Sequence, residues 1–165
     1  STYAIGAAFQ ANEKLMLVGD IKQINWADVM EDFKVSFTAD ANQANPAAAG
    51  FAGRTININM PQDWGNQTVV QLGGAYQVND MWTVRAGYNG SSNPVPSDTL
   101  NYLFPATIEN HYTAGFGYTF NDTSSVDFSL AYAPEVKVTG SGDDNDGLKV
   151  THAQTNWQLL YSHRF

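Results

Sequence analysis

The sequence has 165 residues, which fits one domain, and its formal net charge is −8. This acidity excludes nucleic acid as a partner, because there is no stripe of Lys and Arg to neutralise phosphates. The absence of cysteine excludes disulfides and thiolate metal sites. Charged residues make up only 15% of the chain and aromatic residues 13%, whereas soluble domains have roughly 25% charged residues. This composition favours a barrel wall that faces lipid.

Apolar residues alternate with small or polar ones along most of the chain, which predicts β-strands. The first two runs cover residues 2–10 and 14–37, and the blurred middle of the second is compatible with a bulge. The third run covers residues 66–78 and extends back, in the same phase, to about residue 54. The alternative is an independent eighth strand at 54–62. Four cleaner runs follow, at residues 81–90, 110–120, 124–138 and 151–165.

One face of these strands is aromatic and aliphatic, and the other carries glycine, hydroxyl, amide and occasional charged groups. In the run 124–138, the pattern puts Val126, Val136 and Val138 on the apolar face, and Asp127 and Lys137 on the polar face. A soluble sandwich would instead interlock its large side chains inside and expose Lys and Glu. A polar face of small, uncharged residues is typical of a barrel interior. The pattern therefore predicts an all-β fold, an antiparallel transmembrane β-barrel.

Short and long connections alternate along the chain, with long outer loops predicted near 38–53, 91–109 and 139–149. Outer-membrane barrels have short periplasmic turns and long outer loops, so Phe165 would end the last strand at the periplasmic rim. The seven runs are an odd number, however, whereas an antiparallel barrel of a single bacterial chain needs an even number. Strands outside these residues, or another chain, are therefore expected to complete the barrel.

The stretch "QTVVQLGGAYQVNDMWTVRAGYNGSSNPVP" resembles the long-chain fatty acid transporter family of Gram-negative outer membranes, called FadL or TodX-like. Its specific features are the Trp-Thr-x-Arg start of a strand at 82–85, the Gly-Tyr segment that leads to Pro94-Val95-Pro96, and the terminal Phe165. The resemblance continues through "FPATIENHYTAGFGYTF" and covers nearly the whole chain. It implies that residues 1–165 are a single β-barrel domain or, as the C-terminal half of a fourteen-stranded barrel, a C-terminal barrel portion.

Members of this family move hydrophobic molecules through a pocket that an N-terminal hatch closes. The resemblance thus implies transport of long-chain fatty acids or other hydrophobic compounds across the Gram-negative cell outer membrane by passive diffusion. It implies no enzymatic activity and no cofactor. The expected partners are the hydrophobic ligand, membrane lipid and lipopolysaccharide, and the barrel assembly machinery, which would bind Phe165. A missing N-terminal half or a second copy would complete the barrel. The alternative is a truncated, non-transporting structural or surface-binding barrel, either monomeric or oligomeric.

Arg85 projects to the polar face, where its guanidinium offers two parallel donors to a fatty-acid carboxylate. The alternative is an interior ion pair with Asp127, Glu109 or Asp20, because an unpaired buried charge is costly. Weaker candidates of the same kind are Lys22, Lys34 and Lys137.

The loop at 91–109 contains two prolines and several apolar residues. Pro94 and Pro96 would fold this loop inward, or simply end the strand. Leu100, Tyr102 and Phe104 would form an acyl-chain groove or pack on neighbouring loops. No spacing of histidines suggests a metal site, and the acidic stretch 143–147 lacks the distal glutamate of a calcium loop. Nothing marks an activated serine, so the sequence predicts neither a metal site nor an enzyme.

Overall fold

The structure is a computed structural model that describes residues 1–42, 50–103, 105–143 and 145–165. The described residues form nine strands: β1 (Thr2–Asn12), β2 (Leu15–Ile24), β3 (Asp32–Thr38), β4 (Thr55–Pro61), β5 (Gln67–Gln77), β6 (Trp82–Ser91), β7 (Asn110–Asn121), β8 (Ser124–Thr139) and β9 (Lys149–His163). One 3₁₀ turn lies at Trp26–Asp28. Within the described ranges, no helix has the length and apolar character needed to cross a bilayer. The predicted all-β, antiparallel class is confirmed.

Seven of the strands form one sheet in the order β1-β2-β5-β6-β7-β8-β9, with every neighbouring pair antiparallel. The three short turns share one local device, an asparagine whose side-chain oxygen accepts backbone N–H groups two or three residues ahead. Asn12, Asn79 and Asn121 each do so at 2.9–3.0 Å. Asparagine favours such turns because its short amide mimics a backbone turn. The long connections comprise residues 39–54, 92–109 and 140–148.

The second and third predicted runs are each divided into two strands in the structure. The prediction of continuous strands at 14–37 and 54–78 is therefore wrong. β2 ends at Ile24 and β3 begins at Asp32, opposite the gap between Pro61 and Gln67. Pro61 has no N–H to continue the ladder, and Trp26 turns into an apolar cluster. β3 and β4 therefore form a separate two-stranded hairpin. The alternative of an independent strand at 54–62 is correct in that β4 (Thr55–Pro61) is separate from β5, but β4 pairs with β3 and does not join the larger sheet as an eighth strand.

A bulge in β8 between Ala133 and Val136 reverses the phase of its outer end. Val136 lies opposite His152, which has the polar-face phase of β9. Val138 consequently points inward and packs against a buried cluster. The prediction that Val136 and Val138 share the apolar face is wrong, and so is the placement of Lys137 on the polar face.

The sheet is open within the described residues, since β1 and β9 are its edges and do not pair with each other. Six antiparallel steps separate them, so both edge strands run in the same direction. The large apolar side chains of the sheet face outward and are exposed, for example Ile5 at 74% and Trp157 at 71%. The buried core lies instead at the loop end, around Trp64 and Leu100. This distribution suits a wall whose outer face meets lipid.

Candidate functional site

The polar face of the sheet forms a groove of about 590 Å³ that crosses six strands, from β2 to β9. The groove is deep because small residues lie opposite one another on neighbouring strands. Gly73 pairs with Gly87, and Gly87 pairs with Thr113. A Cβ at Gly87 would lie 2.8 Å from the Thr113 hydroxyl oxygen and 3.2 Å from the Leu72 carbonyl oxygen, so a larger residue would force these groups to move. The polar side chains that line the groove include Asp20, Gln71, Asn89, Ser129 and Gln158. The alternation of the sequence thus becomes a concave, mostly uncharged surface.

An ion pair spans the middle of this groove. Arg85 Nη1 on β6 donates to Asp127 Oδ1 on β8 at 3.0 Å, across the intervening strand β7. The crossing is open because Gly115 lies opposite Arg85 and Gly117 opposite Asp127. A Cβ at Gly117 would lie 2.7 Å from Asp127 Oδ1. Of the two interpretations of Arg85, the structure shows the interior ion pair, with Asp127 as its partner. Both side chains are about half exposed, so the pair contributes roughly 0–1 kcal/mol.

A buried apolar cluster covers the groove-lining face of the sheet at the end that carries the long loops. Leu100, only 3% exposed, packs with Trp64, Val95 and Val150. Leu100 therefore packs on neighbouring loops, which was one of its two predicted roles. Asn145 connects the loops, because the two N–H groups of its amide lie within hydrogen-bond reach of three carbonyl oxygens of the 92–109 loop, at 3.0–3.3 Å from the nitrogen.

Pro94 is buried and its carbonyl oxygen accepts the N–H of Gly65 at 2.8 Å, which holds the 92–109 loop against the 62–66 connection. Pro96 is half-buried in the same loop. Tyr102, by contrast, is 70% exposed, and Phe104 lies outside the described residues. The predicted members of the apolar loop group thus separate into a buried part around Leu100 and an exposed part around Tyr102.

Three of the other candidates lie away from the groove. Lys137 is on the opposite face and pairs with Glu135 at 2.8 Å. Lys34 pairs with Asp32 at 3.2 Å on the β3–β4 hairpin. Phe165 follows β9 at the end with the short turns and is fully exposed. The structure therefore brings none of these three together with Arg85.

Sequence reasoning missed Trp64, Asn145 and Gly117. Trp64 stands in the polar segment "PQDWGN", where an isolated large apolar residue is a usable signal of a buried anchor. Gly117 is a polar-face residue by alternation, but its role depends on which side chains meet above it. Asn145 carries no signal beyond its turn-forming character.

In the part of the chain that the structure describes, no group of three or more His, Asp or Glu side chains is placed to hold a metal ion.

Comparison with known proteins assigns the fold and the family. The family model "outer membrane protein transport protein (OMPP1/FadL/TodX)" matches residues 1–162. A long-chain fatty acid transport protein of Escherichia coli O6:H1 is 26% identical over 106 residues, which cover 64% of this chain and 24% of that protein. This chain therefore spans about a quarter of the length of that curated relative.

Solved structures of similar proteins extend the comparison. The Pseudomonas putida toluene transporter TodX superposes with a TM-score of 0.73 at 26% identity, covering 99% of this chain and 34% of that one. The Ralstonia pickettii toluene transporter TbuX gives a TM-score of 0.68 at 22% identity, with 99% and 33% covered. The chain spans about a third of each, and the predicted outer-membrane β-barrel class is confirmed. Because the family model matches nearly its whole length, this chain belongs to the outer membrane protein transport family OMPP1/FadL/TodX.

Proposed function

We propose that this chain is part of a barrel that carries long-chain fatty acids or other hydrophobic compounds across the outer membrane of a Gram-negative bacterium by passive diffusion. The observation that carries the proposal is the sheet with two unlike faces: an aromatic outer face, and an inner groove of small residues across six strands. Such a groove provides space along the wall for an apolar molecule. The protein therefore binds and releases its ligand unchanged and is not an enzyme.

The barrel must be closed by strands from outside residues 1–165. β1 and β9 run in the same direction, so joining them directly would make a parallel pair. A second copy in the same orientation presents the same two directions and would also pair in parallel. Antiparallel closure needs an odd number of additional strands, whose first and last run opposite to β1 and β9. Seven further strands, supplied by an N-terminal half, meet this requirement, and we favour them over a second copy.

The outer loops would receive the ligand from lipopolysaccharide or from the medium. Tyr102 and Leu103 are exposed apolar residues of the 92–109 loop, next to the buried cluster around Leu100. They would offer an apolar surface at the outer end of the groove. Pro94 and Pro96 hold this loop inward, and Phe165 would serve the barrel assembly machinery.

The direct test is uptake by cells that lack the protein containing this chain. Cells complemented with the wild-type gene should take up tritiated oleate or toluene faster than the deletion strain, because outer lipopolysaccharide is a poor route for both. A parallel extraction should show a heat-modifiable barrel of the same amount in every complemented strain. Equal uptake with and without a correctly assembled barrel would refute transport. It would favour the structural or surface-binding alternative.

A further inference from the structure

The groove holds few charges, and their arrangement disfavours an anionic ligand. Among the described residues that line it, Arg85 is the one cation, and Asp20 and Asp127 are the anions. One positive and two negative charges leave the groove at −1. The cation is also occupied, since its Nη1 donates to Asp127 at 3.0 Å. A carboxylate in this groove therefore meets an excess of negative charge and a guanidinium that already pairs with Asp127.

The position of Asp127 makes it a permanent competitor for Arg85. Gly117 leaves the space in which the two side chains meet, since a Cβ at this position would lie 2.7 Å from Asp127 Oδ1 and 3.1 Å from Arg85 Nη1. A carboxylate fixed to the same sheet has a high effective concentration near the guanidinium, whereas a ligand carboxylate must be drawn from solution. Exchange of one carboxylate for the other gains no hydrogen bond and returns Asp127 to the groove as an unpaired charge.

We propose that Asp127 is a specificity-determining residue, which occupies Arg85 and makes the groove favour neutral apolar molecules over carboxylates. This inference rests on the proposed function, because it assumes that hydrophobic ligands pass along the groove. A neutral molecule needs no ion partner and contacts the glycine and alanine floor without disturbing the pair. A fatty-acid carboxylate must instead compete with Asp127 for the Arg85 guanidinium.

The test compares two ligands that differ only in their head group, dodecanoate and dodecanol. Binding of each tritiated compound is measured at pH 8 to the full-length protein in nanodiscs, with empty nanodiscs subtracted. The variant is Asp127→Asn, which keeps the shape of the side chain and frees the guanidinium. Asp20→Asn is the matched control, because it also changes the groove from −1 to neutral but leaves the Arg85 pair intact. The double variant Arg85→Gln with Asp127→Asn removes the freed cation.

We expect Asp127→Asn to raise the ratio of dodecanoate to dodecanol binding about fivefold, the factor that corresponds to about 1 kcal/mol, the upper value for a half-exposed ion pair. Asp20→Asn should change the ratio by less than about twofold, as screening by salt limits a pure charge effect. The double variant should return the ratio to the wild-type value. Should Asp127→Asn not assemble into a heat-modifiable barrel, Asp127→Ser provides the same comparison with a residue common on this face.

Two results would overturn the inference alone: no change of the ratio in Asp127→Asn, or an equal rise in Asp20→Asn, which would indicate net charge and not the release of Arg85. In both cases the wild-type protein still binds the ligands, and the proposed function stands. Failure of the wild-type protein and all variants to bind either compound would overturn the proposed function, and this inference with it.

Discussion

Replacement of Leu100 by alanine should loosen the outer loops, whereas the same replacement at Leu103 should not. Leu100 is 3% exposed within the cluster of Trp64, Val95 and Val150, and Leu103 is 54% exposed. A buried leucine truncated to alanine costs about 2–5 kcal/mol. At Leu103 half of the side chain is already in water, so we expect a loss below about 1 kcal/mol. The two variants differ by the same atoms in the same loop, so their contrast isolates burial.

The assay is limited proteolysis of the 92–109 loop in isolated outer membranes, under conditions in which cleavage follows the equilibrium population of the opened loop. A loss of about 2 kcal/mol multiplies that population about 30-fold, and 1 kcal/mol about fivefold. Leu100→Ala should therefore be cleaved at least about 30 times faster than wild type, and Leu103→Ala at most about five times faster. Equal acceleration in the two variants would refute the loop cluster as the element that holds these loops closed.

Two other changes test the packing of the inner wall and of the loops. Gly115→Ala should destabilise the barrel by about 1–3 kcal/mol in urea unfolding, because the added Cβ would lie 2.5 Å from a backbone carbonyl oxygen of β8. Gly73→Ala, whose Cβ first meets a valine methyl at 3.2 Å, should cost clearly less; equal losses would contradict this account of the glycines. Thr107→Val should stabilise the barrel by about 1 kcal/mol in the same unfolding assay, because the fully buried Thr107 hydroxyl has no hydrogen-bond partner within the described ranges. A loss of stability would indicate that this hydroxyl is satisfied.

The period-two pattern predicted most of the sheet, since five of its seven strands match alternating runs closely. It failed where tertiary contacts outweigh local pattern. Trp26 leaves the strand because it packs edge-on against Trp64, with ring centroids 5.8 Å apart, and that partner lies far along the chain. The β8 bulge had a usable signal in Pro134, which has no N–H to donate to the ladder and is found at strand irregularities.

The candidate site, like the fold, was predicted from the sequence only where local pattern decides it. Alternation alone put Arg85 and three possible carboxylate partners on one face, and the choice among them required the register. The strand register places Gly117 opposite Asp127 and Gly115 opposite Arg85. These two glycines leave the space between the charges open, which the alternation alone does not show. Leu100 and Tyr102 are both apolar residues of one loop, and nothing local predicts that one is buried and the other exposed.

The most direct test of the central claim, that hydrophobic ligands move along the small-residue face while the aromatic face meets lipid, is cysteine labelling along β9 and β6. The chain has no cysteine, so each introduced one is unique within it. In outer membranes, Gln158→Cys and Asn89→Cys should react with a water-soluble maleimide, and saturating dodecanol should slow both reactions. Leu159→Cys and Val84→Cys, on the outer face, should stay unlabelled. Labelling of the outer positions, or inner labelling that the ligand does not affect, would contradict the account.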